Sequence, residues 1–279
     1  EVGKWLEGAM SPCSARFTRV LPVLVLVAGS ARAAEIVSVV RVDDAVGLDP
    51  VPAGRLVEYA VQLAQSYADP FDPDGIRVEA TFTPGSGVPV PVDGFWFQAF
   101  AATVDGSGHE ILAPEGDPHF RVRFRSVVPG DFAVAFRAID AEGTATADAP
   151  ALHVAGPAED RFVRRASGDV PGFERAGAPW VPFGANVCWS GAGGTQEFAT
   201  WFAAMAEGGV LNWSRLWMTH FDGTALEWKA GGDGGAYAGV GAYNPKAGWR
   251  VDRILDLAST AGIALQLVLQ QHSQFQTTH

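Results

Sequence analysis

Apolar and polar residues alternate at every second position along much of the first half of the chain, and recur at helical spacing in two stretches of the second half. At 120–125, Phe120, Val122 and Phe124 share one face while Arg121, Arg123 and Arg125 share the other, which predicts a half-buried strand with the arginines in solvent. Phe132, Val134, Phe136 and Ala138 repeat the pattern after the Pro129-Gly130 turn, and Ile76, Val78, Ala80 and Phe82 do so earlier. Segments 57–63, 95–100 and 151–154 bring the total to about seven short strands separated by Pro, Gly and Asp, the pattern of an all-β sandwich over residues 35–155. The run Asp69-Pro70-Phe71-Asp72-Pro73-Asp74-Gly75 has closely spaced carboxylates that would suit calcium. Its register is wrong for an EF-hand loop, so two prolines and a glycine predict a stiff turn and no metal site.

Beyond residue 180 the pattern becomes strand, helix, strand, helix, strand. Strand 181–188 sets Val181, Phe183, Ala185 and Val187 on a face expected to meet helices. A helix then starts with Thr195 as its expected N-cap, carries Phe198, Trp201, Phe202 and Met205 on one stripe, and ends at Gly208-Gly209. Strand 211–218 follows, then a long glycine-rich loop over 220–243. A second helix is capped by Asn244 with Pro245 in its first position, buries Trp249, Ile254, Leu255 and Ala258, and ends at Gly262. In the last strand Ile263, Leu265, Leu267 and Leu269 are expected against the helices, with Gln266, Val268, Gln270 and His272 on the opposite face. Strands alternating with helices predict the first part, about three βα units, of a (β/α)8 TIM barrel over residues 180–279, joined to the sandwich by a connector at 156–179. A complete barrel takes about 250 residues. Residues 178–279 number 102, so the barrel is expected to be truncated after its third strand.

The candidate chemistry gathers at the carboxyl ends of these last strands, where barrel sites are built. Trp213, Arg215 and Trp217 share the face predicted to point inward, and a buried arginine there demands a carboxylate partner. His272 and Gln270 sit at the end of the third strand, and Glu227 and Trp228 lie in the long loop, where an exposed indole can stack on a pyranose ring. The cluster Gly231-Gly232-Asp233-Gly234-Gly235 lacks a P-loop lysine and predicts no phosphate site, and the sequon Asn212-Trp213-Ser214 falls in a strand expected to be buried.

Composition narrows the class. At 48% hydrophobic and 18% charged the 279 residues describe a globular chain. Residues 10–33 combine Arg16 and Arg19, an apolar run from Val20 to Ala28 and the small-residue site Ala31-Arg32-Ala33, which predicts a cleaved secretory signal and a secreted or periplasmic protein. Residues 1–34 hold four basic and two acidic side chains, so the net charge of −11 becomes −13 once they are removed. Such acidity disfavours nucleic acid and anionic membranes as partners. Cys13 leaves with the signal, and Cys188 remains as a buried, unpaired structural thiol. No cofactor motif is present, and the oligomeric state is not encoded in any recognisable pattern.

Two runs of residues carry a family resemblance. Tyr67 to Phe82, Gly94-Phe95-Trp96-Phe97-Gln98 and Phe120 to Phe124 resemble the Ig-like accessory domain of unknown function that precedes the barrel in many secreted bacterial glycoside hydrolases. Gly184 to Trp189, Asn212 to Met218, Leu226-Glu227-Trp228 and His272 resemble the first strands of cellulase-like hydrolases, family five and its relatives. The resemblance implies a polysaccharide or oligosaccharide substrate and a retaining mechanism with two carboxyls about 5–5.5 Å apart. Those carboxyls follow the fourth and seventh barrel strands and would lie beyond residue 279, leaving this portion inactive alone. It further implies that Arg215 supports the nucleophile, that His272 lies near the sugar, and that Asn186 and Trp189 shape the floor, with Trp217, Glu227, Trp228 and Gln270 completing the substrate-binding set. The alternative is a carbohydrate-binding or adhesion module without catalysis.

Overall fold

The computed structural model describes residues 33–158, 162–167, 171–228 and 236–269. The expected signal segment, apart from Ala33, and the candidate residues Gln270 and His272 lie outside them. Nine strands come first: β1 (Ile36–Arg41), β2 (Val51–Pro52), β3 (Leu56–Leu63), β4 (Ile76–Pro84), β5 (Val90–Asp93), β6 (Phe95–Val104), β7 (Glu110–Arg125), β8 (Gly130–Asp140) and β9 (Gly143–Ala155). They form a four-stranded sheet of order β1-β3-β7-β6 and a five-stranded sheet of order β2-β9-β8-β4-β5. Period-two alternation decides which side chains meet between the sheets: Tyr59 and Val61 from β3, Phe120, Val122 and Phe124 from β7, Val78 and Phe82 from β4, and Val134 and Phe136 from β8. Phe82 stacks on Phe124 at 3.8 Å between ring centroids, and Tyr59 meets the edge of Phe136 at 5.3 Å. The acidic run 69–75 is a turn held by its own backbone, since Asp69 Oδ1 accepts from Phe71 N–H and Asp72 Oδ1 from Asp74 N–H, each at 3.0 Å.

A small antiparallel sheet follows, β10 (Val163–Arg165), β11 (Phe173–Arg175) and β12 (Ala178–Trp180). After it come β13 (Gly184–Ala185), α1 (Thr195–Glu207), β14 (Trp213–Trp217), α2 (Pro245–Thr260) and β15 (Ala264–Val268), with the three strands parallel in the order β13-β14-β15. Phe198, Phe202 and Met205 of α1, Leu216 of β14, and Ile254 and Ala258 of α2 form their common core with Ile263.

This overturns the expected fold class. Among the described residues the chain is mostly β-sheet, with two helices and no closed barrel. Closing a sheet into a barrel requires each edge strand to find a neighbour at a fixed tilt and stagger, and among the described residues β13 and β15 have none on their outer sides. Local periodicity specified the elements, but closure is a property of many strands together. The consequences are visible at both edges: Val181 is 75% exposed, Phe183 58% and Leu269 69%, although all three were expected against helices.

Two further expectations give way to long-range contacts. Thr195 is the first residue of α1 rather than its cap. The N-terminus is satisfied instead by Glu110 of β7, whose Oε1 accepts from Thr195 N–H at 2.8 Å and from its hydroxyl. The β7 arginines do not face open solvent. Arg121 and Arg123 both pair with the buried Glu58, and Arg123 makes a two-pronged bond to Asp252 of α2 at 2.9 and 2.7 Å. Their guanidinium groups also lie over rings, Arg121 on Phe97 and Arg123 on Phe95, while Arg125 lies over Phe162. Helix α2 therefore covers the outer face of the sandwich, and Arg250 to Glu110 at 2.7 Å adds a second clamp.

Candidate functional site

The site begins where backbone crowding forces β13 and β14 together. A Cβ at Gly184 would collide with the Trp213 carbonyl, so only glycine fits where the strands meet. Asn212 locks the approach, accepting from Phe183 N–H and donating to Val181 C=O, each at 2.9 Å. The sequon asparagine thus has a structural task. Along β14, Ser214 and Leu216 are fully buried on the helix side, which turns Trp213, Arg215 and Trp217 to the opposite face.

At the carboxyl end of that face three rings form a wall. Trp189, 46% exposed, lies 5.2 Å from Trp217 and 5.7 Å from Phe221. Arg215 places its guanidinium 5.4 Å from the Trp217 ring centre. Among the described residues Arg215 Nε and Trp217 Nε1 are both buried N–H donors with no hydrogen-bond acceptor. Leaving a buried donor unmade costs about 1–3 kcal/mol. Two such donors beside an exposed indole are free to take a hydrogen-bond acceptor.

The other expected residues fall around this wall with different tasks. Asn186 is exposed and accepts from the Cys188 thiol at 2.8 Å. Burial pushes the Cys188 thiol up from its ordinary range, opposed by the positive Arg215. Among the described residues no salt bridge joins Arg215 to a carboxylate, and the carboxylate it was expected to support was placed beyond residue 279. Glu227 is occupied by its own loop, accepting from Gly241 N–H at 2.9 Å and from the Tyr237 hydroxyl at 3.4 Å. Trp228 stacks on His220 at 4.4 Å and 22° and meets Tyr237 at 5.7 Å, so its ring is partly engaged within the loop.

The segment Thr219-His220-Phe221-Asp222-Gly223-Thr224 was not singled out from sequence, yet it supplies one of the three rings of the wall. Asp222 is 5% exposed and its Oδ1 accepts from the hydroxyls of Thr219 and Thr224 at 2.5 and 2.7 Å. Burial raises its pKa, against the lowering effect of those hydroxyls and of the backbone N–H groups of Thr224 and Ser190. This knot fixes the turn that presents Phe221 to Trp189. The only signal in the sequence was an Asp-Gly pair with threonines at 219 and 224, just past a strand. Among the described residues no group of three or more His, Cys, Asp or Glu is placed to hold a metal ion, and no helix is long and apolar enough to cross a membrane.

No family model matches the sequence, and no curated protein matches it. Among solved structures the chain resembles a Bacteroides vulgatus protein provisionally assigned as a glycoside hydrolase, with a TM-score of 0.51 and 18% identity over 78% of this chain and 40% of that one. It also matches a Bacteroides fragilis protein provisionally assigned as an alpha-galactosidase/melibiase, at 13% identity over 77% of this chain and 34% of that one, but a TM-score of 0.22 describes no shared fold. The chain therefore spans less than half the length of either protein. What it has in common with the Bacteroides vulgatus protein, at this identity, is its fold.

Proposed function

We propose that this chain is the sugar-binding portion of an exported glycoside hydrolase, with the wall at the end of β14 as its substrate contact. The observation that carries this reading is the pair of buried, unpartnered donors, Arg215 Nε–H and Trp217 Nε1–H, beneath the exposed ring of Trp189. A pyranose presents a C–H face that packs on an indole and oxygens around its rim that accept N–H bonds. The fold shared with a protein assigned to glycoside hydrolases supports the same class.

In this reading the residues described bind and orient, and other residues cleave. Retaining hydrolysis requires two carboxyls about 5–5.5 Å apart, one acid/base and one nucleophile. Asp222 is enclosed by threonines and Glu227 is tied to its loop, so neither is assigned those roles. The catalytic carboxyls are supplied from outside the described residues, and one of them answers Arg215. The sandwich serves as an accessory domain on this scheme.

Retention of the purified chain on native gels containing soluble polysaccharides tests the binding step. Trp189→Ala should weaken retention about fivefold, the worth of one stacked ring at about 1 kcal/mol. Arg215→Ala should weaken it as well. Unchanged retention in both variants would sink the assignment of this wall.

A further inference from the structure

The sandwich and α2 enclose a second groove of about 660 Å³, within the range of small-molecule sites. One wall is the outer face of the sandwich, where Phe95 lies, with Phe71 in the turn before β4, and the opposite wall is Tyr243 and Trp249 at the start of α2. Edge-to-face contacts of Phe71 with Tyr243 at 5.6 Å, and of Phe100 with Trp249 at 6.2 Å, tie the start of α2 to the sandwich side and so fix how the two walls stand. The groove would bind a ligand with apolar faces.

Its polar groups decide which kind. Both cations that line it are already paired, Arg123 with Asp252 and Glu58, and Arg77 with Glu79 at 3.4 Å. The exposed Asp93 carboxylate and the Tyr243 hydroxyl also line the groove or its rim, and neither makes a side-chain hydrogen bond among the described residues. A free carboxylate accepts hydrogen bonds and repels anions, and a phenol both donates and accepts. The available chemistry is therefore aromatic faces plus acceptors for hydroxyl donors.

We propose that this groove is a second carbohydrate site, taking a ring of a neutral glycan between Tyr243 and the sandwich, with ring hydroxyls donating to Asp93. Tyr243 is 43% exposed and stands just before the cap of α2, so its ring is accessible while the helix start holds it in place. The same loop joins the two sites, because Leu226 lines the groove while its near neighbour Trp228 packs on His220 beside Phe221. A glycan chain held in the groove would raise the local concentration of sugar near the β14 wall.

The test separates this groove from the wall by working in a Trp189→Ala background. Native gels containing hydroxyethyl cellulose, arabinoxylan or galactomannan should still retain that variant of the 279-residue chain on at least one of the three. Adding Tyr243→Ala or Asp93→Ala should each lower the remaining retention about fivefold, whereas Tyr243→Phe, which keeps the ring, should retain most of it. Unfolding midpoints equal to the parent's identify the loss as binding. Retention on none of the three polymers, retention indifferent to Tyr243→Ala and Asp93→Ala, or stronger retention on polygalacturonate would each overturn the proposal. The drop in retention from the parent to Trp189→Ala bears on the β14 wall, and the retention left in that background bears on the groove, so the two readings fail separately.

Discussion

The sandwich and the parallel sheet treat their buried polar groups in opposite ways. In the sandwich twenty buried apolar residues enclose the core, and the polar residues at its margins are saturated: Glu58 takes two arginines, and Asp43 accepts from Arg41, from Ala45 N–H and from Glu58 N–H. Seven buried residues form the core of the parallel unit, and its far end leaves Arg215 Nε, Trp217 Nε1 and Asp222 Oδ2 unsatisfied. Saturated margins are what stability selects for. Unsatisfied ones call for an explanation, such as a bound water, a ligand, a catalytic role or another part of the protein. The contrast separates a region whose buried polar groups are paired within the chain from one in which several are not.

The largest effect should come from the sandwich core. Phe136→Ala, at a fully buried position, should cost about 3–5 kcal/mol in urea unfolding, with Leu216→Ala in the smaller core nearer about 2–3 kcal/mol because an open sheet can relax around it. A larger loss at Leu216 would reverse the ranking of the two cores. Arg123→Ala should cost about 1–2 kcal/mol, since the pair it breaks is about a third exposed and solvent screens it. A double-mutant cycle with Asp252→Ala should return a favourable coupling, and zero coupling would show that α2 is held by packing alone.

The smallest and most diagnostic effects are pH-dependent and opposite in sign. Burial raises the pKa of Asp43, but the Arg41 guanidinium and two backbone N–H groups outweigh it, and the net shift is downward. Its contribution is present above the unfolded-state value and is lost as pH falls through the folded one. Asp222 is shifted upward, so the folded state binds its proton more tightly, and stability declines as pH rises from the ordinary aspartate range through the raised value. Urea midpoints across acidic pH should therefore show Asp43→Asn with a reduced acid-side loss and Asp222→Asn with a reduced decline on the way up. The same slope change in both variants would contradict the distinction between the regions.

Much of the local structure was legible because its causes are local. Alternation at Phe120, Val122 and Phe124 placed those side chains in the core, and the Asn244-Pro245 pair marked the start of α2, where Asn244 Oδ1 accepts from Lys246 N–H at 3.0 Å. The stripe Phe198, Phe202 and Met205 is buried as its spacing required. For the candidate site, the alternation that turned Arg215 and Trp217 away from the helices was readable. The role of Phe221 was not, because it depends on a threonine–aspartate knot that no periodicity encodes.

By itself, then, the sequence determined the longer strands of the sandwich and both helices, most of their apolar faces, and that the chain is acidic, while the short strands β10 to β12 and the shrinking of the 181–188 strand to Gly184–Ala185 were not read from it. Only the tertiary structure decided what covers each face. Arg121 and Arg123 read as solvated and became a paired interface, because Asp252 lies 129 residues further along the chain, and α1 is capped from Glu110, 85 residues before it. The three parallel strands read as the start of a barrel and stand as an open sheet among mostly antiparallel β-structure. Alternation and capping act over a few residues of backbone, whereas pairing across the chain and closure of a sheet depend on which surfaces the fold brings into contact.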